Sequence, residues 1–129
     1  MTMTDSTAKT ETKPHALIAS DRVEGTAVRR PNADKVGQIE RLMIDKVSGN
    51  VAYAVLSFGG FLGLGEKHMP VPWSKLKYDP LMGSYLADIT DEELAKAPSY
   101  AADKDFDWGD RSQERQVHDY YKARPYWGI

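Results

Sequence analysis

Two stretches of this 129-residue chain combine residue types and spacing that could do chemistry. The first, DKDFDWGDRSQE, spans residues 103–114. It puts Asp103, Asp105 and Asp107 at positions 1, 3 and 5 of a twelve-residue loop and Glu114 at position 12. Carboxylates at that spacing supply the oxygen ligands of an EF-hand calcium loop. Position 6, where the sharp turn needs glycine, is Trp108, and Gly109 comes one residue late; position 8, ordinarily apolar, is Asp110. Pro98 also crowds the helix that would have to enter the loop. The stretch therefore reads first as a solvated acidic linker, with calcium binding as the alternative.

The second stretch, FGGFLGLGEKHMPVPW (58–73), is glycine-rich in the manner of a phosphate cradle. Gly60 and Gly65 have the P-loop spacing, but Glu66 occupies the lysine position and no Ser or Thr follows Lys67 to hold magnesium. The order of Gly60, Gly63 and Gly65 is G-x-x-G-x-G, the reverse of the dinucleotide-binding pattern. Both phosphate devices also lead into a helix N-terminus, whereas this loop runs into Met69-Pro70-Val71-Pro72. Its glycines read as hinges, and its large apolar residues, Phe61, Leu62 and Leu64, with Trp73 beyond them, read as contacts for a partner or a second subunit.

The remaining chemistry-bearing residues form no recognisable set. His15, His68 and His118 have no metal-ligand spacing, no nucleophile elbow G-x-S-x-G occurs, and cysteine is absent. The expectation is a protein that is not an enzyme and uses no cofactor. A late cluster of rings, Phe106, Trp108, Tyr120, Tyr121, Tyr126 and Trp127, could stack on bases, but stacking platforms sit in basic grooves. Here Arg111, Arg115, Lys122 and Arg124 are offset by Asp107, Asp110, Glu114 and Asp119. With a net charge of -2 for the whole chain, the balance argues against nucleic acid. The rings are expected to pack on the chain's own sheet or on a neighbouring subunit.

The elements that must position these residues are short strands. GTAVRR (25–30), VGQIERLMID (36–45), VAYAVLSF (51–58), KHMPVPW (67–73), KLKYD (75–79) and SYLADI (84–89) are β-rich runs separated by turn residues. KVSGN (46–50) predicts a tight antiparallel hairpin, because Ser48, Gly49 and Asn50 tolerate positive φ. VAYAVLSF is apolar on both faces and so needs cover on both; the second cover must be the C-terminal segment or another molecule. Pro70 and Pro72 confine their stretch to an edge or a bulged entry. Thr90 and Glu93 have capping-box spacing, predicting a helix at 91–97, and Ser112 could cap a second over 112–124. Residues 1–18 are too polar to offset their ordering entropy and are expected to be mobile. With neither a secretory leader nor an apolar run of membrane-spanning length, the cytoplasm is the expected location and no membrane insertion is expected.

In sequence order, VGQIERLMID, SGNVAYAVLSFGGFLGLGEKHMPVPWSKL and the acidic ITDEELAKAP resemble the PRC-barrel family over about residues 20–98. Members include the cytoplasmic domain of the photosynthetic reaction-centre H subunit and the C-terminal domain of a bacterial ribosome maturation factor. The resemblance implies a small PRC-type β-barrel; with the residue patterns above, the expectation is a mainly β protein of five or six short antiparallel strands, then one short helix and a C-terminal extension of the chain's own with a second. These readings divide the chain into a tail (1–18), a barrel domain (19–98) and an aromatic extension (99–129). It also implies a surface for interaction with no shared catalytic set, as in a free-standing bacterial PRC-barrel protein. The expected function is a non-enzymatic protein-binding or assembly module that forms homo-oligomers, with Phe61, Leu62, Leu64, Trp73, Trp108, Tyr120, Tyr121 and Trp127 at the interface. A ribosome-associated or RNA-processing accessory protein is the alternative, and a calcium- or small-ligand-binding barrel the third.

Overall fold

The computed structural model describes residues 16–58, 67–101 and 106–127. In chain order the elements are α1 (Ser20–Val23), β1 (Ala27–Arg29), β2 (Lys35–Ile44), β3 (Val51–Phe58), β4 (Lys67–Pro72) and a 3-10 turn (Trp73–Lys75). They continue with β5 (Lys77–Asp79), β6 (Ser84–Leu86), α2 (Asp91–Lys96), β7 (Tyr100–Ala101) and α3 (Arg111–Tyr121). The strands make one sheet in the order β5-β6-β1-β2-β3-β4-β7, so the chain is mainly β with a few helices, as expected. Of the expected tail, residues 1–15 lie outside the described residues, while Leu17 and Ile18 are exposed.

Two features go beyond the expected set of five or six antiparallel strands. The two-residue β7 pairs antiparallel with the first two residues of β4, through Lys67↔Ala101 and His68↔Tyr100, making seven strands. β1 and β6 pair in parallel, through Val28↔Tyr85 and Arg29↔Leu86. Parallel neighbours need a long crossover, and here the whole of β2 to β5 is that crossover, so no local pattern announces the pair. Among the described residues the ladder runs from β5 to β7 without closing.

The central hairpin forms as expected. Asp45 organises it: its Oδ1 accepts from the Val47 N–H at 3.2 Å and its Oδ2 from the Ser48 hydroxyl at 2.9 Å. The Gly49 N–H donates to the Asp45 carbonyl at 2.8 Å, and Gly49 takes φ +80°, a left-handed conformation that a side chain disfavours. The β2–β3 register shifts between Ile39 and Arg41 and again between Met43 and Ile44. Such bulges bend a strand and add twist, which lets a ten-residue strand curve around the core.

All of Ala52–Ser57 is buried in β3, as a doubly apolar strand requires. The register puts Tyr53, Val55 and Ser57 on one face with Pro72, Pro70 and His68, and Ala54 and Leu56 on the other with Val71 and Met69. Pro70 and Pro72 have no N–H to offer another strand. β7 pairs only with Lys67 and His68, and helix α3 takes over the flank of β4 beyond that point. The second cover for β3 is therefore the C-terminal extension of the same chain.

The helices obey their terminal residues. Thr90 and Glu93 complete a reciprocal capping box for α2, and Arg30 ties the helix start to β1, donating to the Ile89 carbonyl at 2.6 Å and pairing with Asp91. α3 begins one residue earlier than its expected start because Asp110, not Ser112, is its N-cap. The Asp110 carboxylate accepts from both the backbone N–H and the hydroxyl of Ser112, at 2.9 and 2.6 Å, so the serine hydroxyl is used as a donor to the true cap. These bonds hold the Asp110 carboxyl below its ordinary value. The helix stops before 124 because Lys122 adopts a left-handed conformation, φ 54°, and closes the last turn onto the Asp119 carbonyl.

Candidate binding surface

On α3, Glu114, Val117, His118 and Tyr121 are the buried residues. Their spacing of three and four places them on one helical face, and that face meets the sheet through polar groups. The Tyr53 hydroxyl lies 2.9 Å from Glu114 Oε1 and 2.7 Å from His118 Nε2. A phenol has one hydrogen, and an ionised carboxylate can only accept. Tyr53 therefore donates to Glu114 and accepts from the Nε2–H of His118, a tautomer assigned from the network. The second carboxylate oxygen of Glu114 is 3.5 Å from Arg111 Nε. The other imidazole nitrogen, His118 Nδ1, is buried with no hydrogen-bond partner of proper geometry among the described residues.

Burial sets the electrostatics. It pushes the Tyr53 hydroxyl far above the ordinary phenol range, helped by the hydrogen bond to Glu114 and its charge. It also pulls His118 below its usual value, against the opposing pull of the Ala123 backbone and the carboxylates of Glu114 and Asp119. Tyr121, buried beside Met69 with its hydroxyl donating to the sulfur at 3.2 Å, is raised by burial first and by Tyr120 and Glu93 after it. With Tyr53 at 1% exposure and Glu114 at 4%, no substrate reaches the hydroxyl or the carboxylate. The cluster fastens the extension to the sheet.

Around the cluster runs a seam of rings. Tyr100 meets Phe106 at 5.8 Å, Phe106 meets Trp108 at 4.4 Å, and Trp108 meets Tyr53 at 5.3 Å between centroids. Tyr53 continues to Tyr126 at 5.7 Å, edge to face, and Tyr126 to Trp127 at 5.1 Å. The Arg111 guanidinium lies over the Trp127 ring at 4.0 Å. Tilted and edge-on contacts of this kind add to simple area burial, and they explain why so short a segment holds its place.

The structure divides the candidate residues. Phe61, Leu62, Leu64, Asp103, Asp105 and His15 lie outside the described residues. Trp108 and Trp127 are half-buried in the ring seam, Tyr121 is buried, and Tyr120 donates to the Glu93 carbonyl at 2.6 Å, joining α3 to α2. His68 is buried edge-on to Tyr100 at 5.5 Å. Asp107 accepts from the Gly109 N–H of its own turn, and Glu114 is engaged by Tyr53 and Arg111; these two carboxylates of the calcium pattern serve local structure. Trp73 lies at one end of β4, packed on Tyr85 at 5.4 Å. Phe58 and Lys67, the strand residues on either side of the glycine loop, pair with each other at the opposite end. The Tyr53–Glu114–His118 cluster was not foreseen. Its available signals were a tyrosine among the aliphatic residues of Val51–Leu56 and a Glu–His pair four residues apart on a helix.

Two exposed features share the Trp73 end of the sheet. β6 runs parallel to β1 and β1 antiparallel to β2, so the β5–β6 and β2–β3 hairpin tips point the same way. Their tip residues Leu81 and Val47 are each 95% exposed, with Ile44, Tyr78 and Met82 also exposed nearby in the chain. Beside α3 an open groove of about 230 Å³ has Val51, Pro72, Trp73, His118, Arg124 and Tyr126 among its walls.

Among the described residues no helix is long and apolar enough to cross a membrane. The family model that matches the chain is the PRC-barrel domain, over residues 16–94; α3 and the rings of the seam other than Tyr53 lie beyond the matched segment. No curated protein matches the chain.

Proposed function

Starting from the chain's membership of the PRC-barrel domain family, established over residues 16–94, we propose that it is a non-enzymatic protein-interaction module acting in the cytoplasm. It docks a protein partner, or a second copy of itself, through the end of the sheet where the two hairpin tips lie. The observation that carries this reading is the pair Val47 and Leu81, each 95% exposed on tips that point the same way. Single exposed apolar residues are ordinary, whereas several gathered toward one end favour association. Phe61, Leu62 and Leu64 of the glycine loop supply a second apolar contact in the same reading.

The extension of the same chain already covers the second face of β3. Self-association is thus supported by the hairpin residues and not by any lack of cover for that strand. The test is light scattering and affinity capture from the native organism, with the natural chain beside a Val47→Asp, Leu81→Asp double variant. A captured partner or an oligomer that the double variant loses, at unchanged melting temperature, supports the proposal. A monomer whose captured proteins are identical for both forms overturns it.

A further inference from the structure

We propose that the groove beside α3 binds a small aromatic carboxylate. The groove has two properties that such a ligand uses together. Its walls are apolar and aromatic, with Trp73, Tyr126, Pro72 and Val51 around a space of about 230 Å³, which suits a single-ring molecule; drug-sized ligands occupy larger pockets of roughly 300–1,000 Å³. Two of those walls are braced from behind: Trp73 by Tyr85 at 5.4 Å and Tyr126 by Tyr53 at 5.7 Å. The rings are therefore placed before any ligand arrives, which lowers the ordering cost of binding.

Arg124 supplies the second property. It is exposed and lines the groove, and it has no ion-pair partner among the described residues, unlike Arg30, Arg111 and Lys96. A guanidinium beside a half-enclosed apolar space favours a carboxylate, which it can hold through two parallel hydrogen bonds. His118 forms part of the wall as well; at 3% exposure it bounds the space and offers no polar group to a ligand. The combination of planar ring and anion is met by an aromatic acid.

The probes are 4-hydroxybenzoate, benzoate and the neutral 4-hydroxybenzamide, titrated into the full chain by ligand-observed NMR with tryptophan fluorescence as a second readout. Both carboxylates are expected to bind at millimolar concentration or below, with the amide weaker than its acid by about tenfold, the loss expected for one charged contact. Arg124→Gln, a surface change, should weaken the acids by a similar factor and leave the amide unaffected. Trp73→Ala should weaken all three probes, with folding checked by circular dichroism. Equal binding of acid and amide, acid binding that Arg124→Gln leaves unchanged, or no binding of any probe at millimolar concentration would each overturn the proposal.

Discussion

Tyr53 and His118, sixty-five residues apart in sequence, meet at 2.7 Å through a hydroxyl and an imidazole nitrogen, both buried. This contact joins the middle of the central strand to the last helix, and Glu114 makes it a three-membered network. Buried polar groups of this kind are costly when left half-satisfied. The network therefore fixes one seating of α3 on the sheet more strictly than aromatic packing alone would.

Removing the shared hydroxyl tests that role. Tyr53→Phe keeps the ring contacts and leaves Glu114 and His118 Nε2 without their common partner. Loss of a buried hydrogen-bond partner costs about 1–3 kcal/mol, and urea denaturation should show a destabilisation of that size. Tyr120→Phe is the internal control, since that hydroxyl donates at an exposed site to the Glu93 carbonyl; it should cost about 1 kcal/mol or less. Equal losses for the two variants would remove the special role of Tyr53.

The buried imidazole also predicts an acid-dependent weakening. In the folded chain His118 is held below the ordinary imidazole value of 6.5, chiefly by burial. On acidification the unfolded chain therefore takes up a proton at this residue before the folded chain does. Stability falls wherever the unfolded state binds more protons, so the contribution from His118 is intact above pH 6.5 and is lost as pH falls toward the depressed folded value. The stability gap between the natural chain and His118→Gln should narrow between neutral pH and about pH 5. A gap that stays constant across that interval would contradict the assignment of a neutral His118.

Gly37 is predicted to resist substitution for a steric reason. A Cβ built there would lie 2.6 Å from the Ser57 carbonyl oxygen and 3.3 Å from Phe58 Cβ. Neither the backbone oxygen nor the strand carrying it can yield without disturbing the β2–β3 ladder. Gly37→Ala should destabilise by about 1–3 kcal/mol, the usual range for overpacking. At Gly109 the nearest neighbour of a new Cβ is the Asp107 carboxylate at 3.4 Å, so Gly109→Ala should be far milder. Comparable melting temperatures for both variants would rule out the close approach at Gly37.

Much of the fold was legible because its determinants are local. Asp45, Ser48 and Gly49 specify the central hairpin, Thr90 and Glu93 the cap of α2, and Pro70 with Pro72 the point where strand pairing on β4 gives way to a helix. The parallel pairing of Val28 with Tyr85 was not legible, because it is decided by closure over the whole chain. The α3 boundary shifted because Asp110 and Ser112 are both capable caps, and only geometry shows that Ser112 donates to Asp110. At the candidate surface, composition identified Trp108, Tyr121 and Trp127 as important. It could not show that they pack on the chain's own sheet, because an aromatic surface offers the same area to its own sheet as to a partner. Arg124 and His118 were visible as residues, but their common groove depends on how the last turn of α3 ends.

The last prediction concerns the extension as a whole. A chain ending after Ala101 would lack Phe106, Val117 and Tyr121, all buried against the sheet, and would open the Tyr53 and Met69 positions to water. Each such side chain contributes about 1.5–3 kcal/mol when fully buried, so these three approach the total stability of a typical domain, about 5–15 kcal/mol. The shortened chain should bind a hydrophobic dye, lose its cooperative melting transition and aggregate. Substituting Phe106→Ala and Tyr121→Ala in the full-length chain should produce the same trend in smaller steps. A shortened chain that melts cooperatively at the natural temperature would show that β3 and β4 are stable without this cover and that α3 is a passenger.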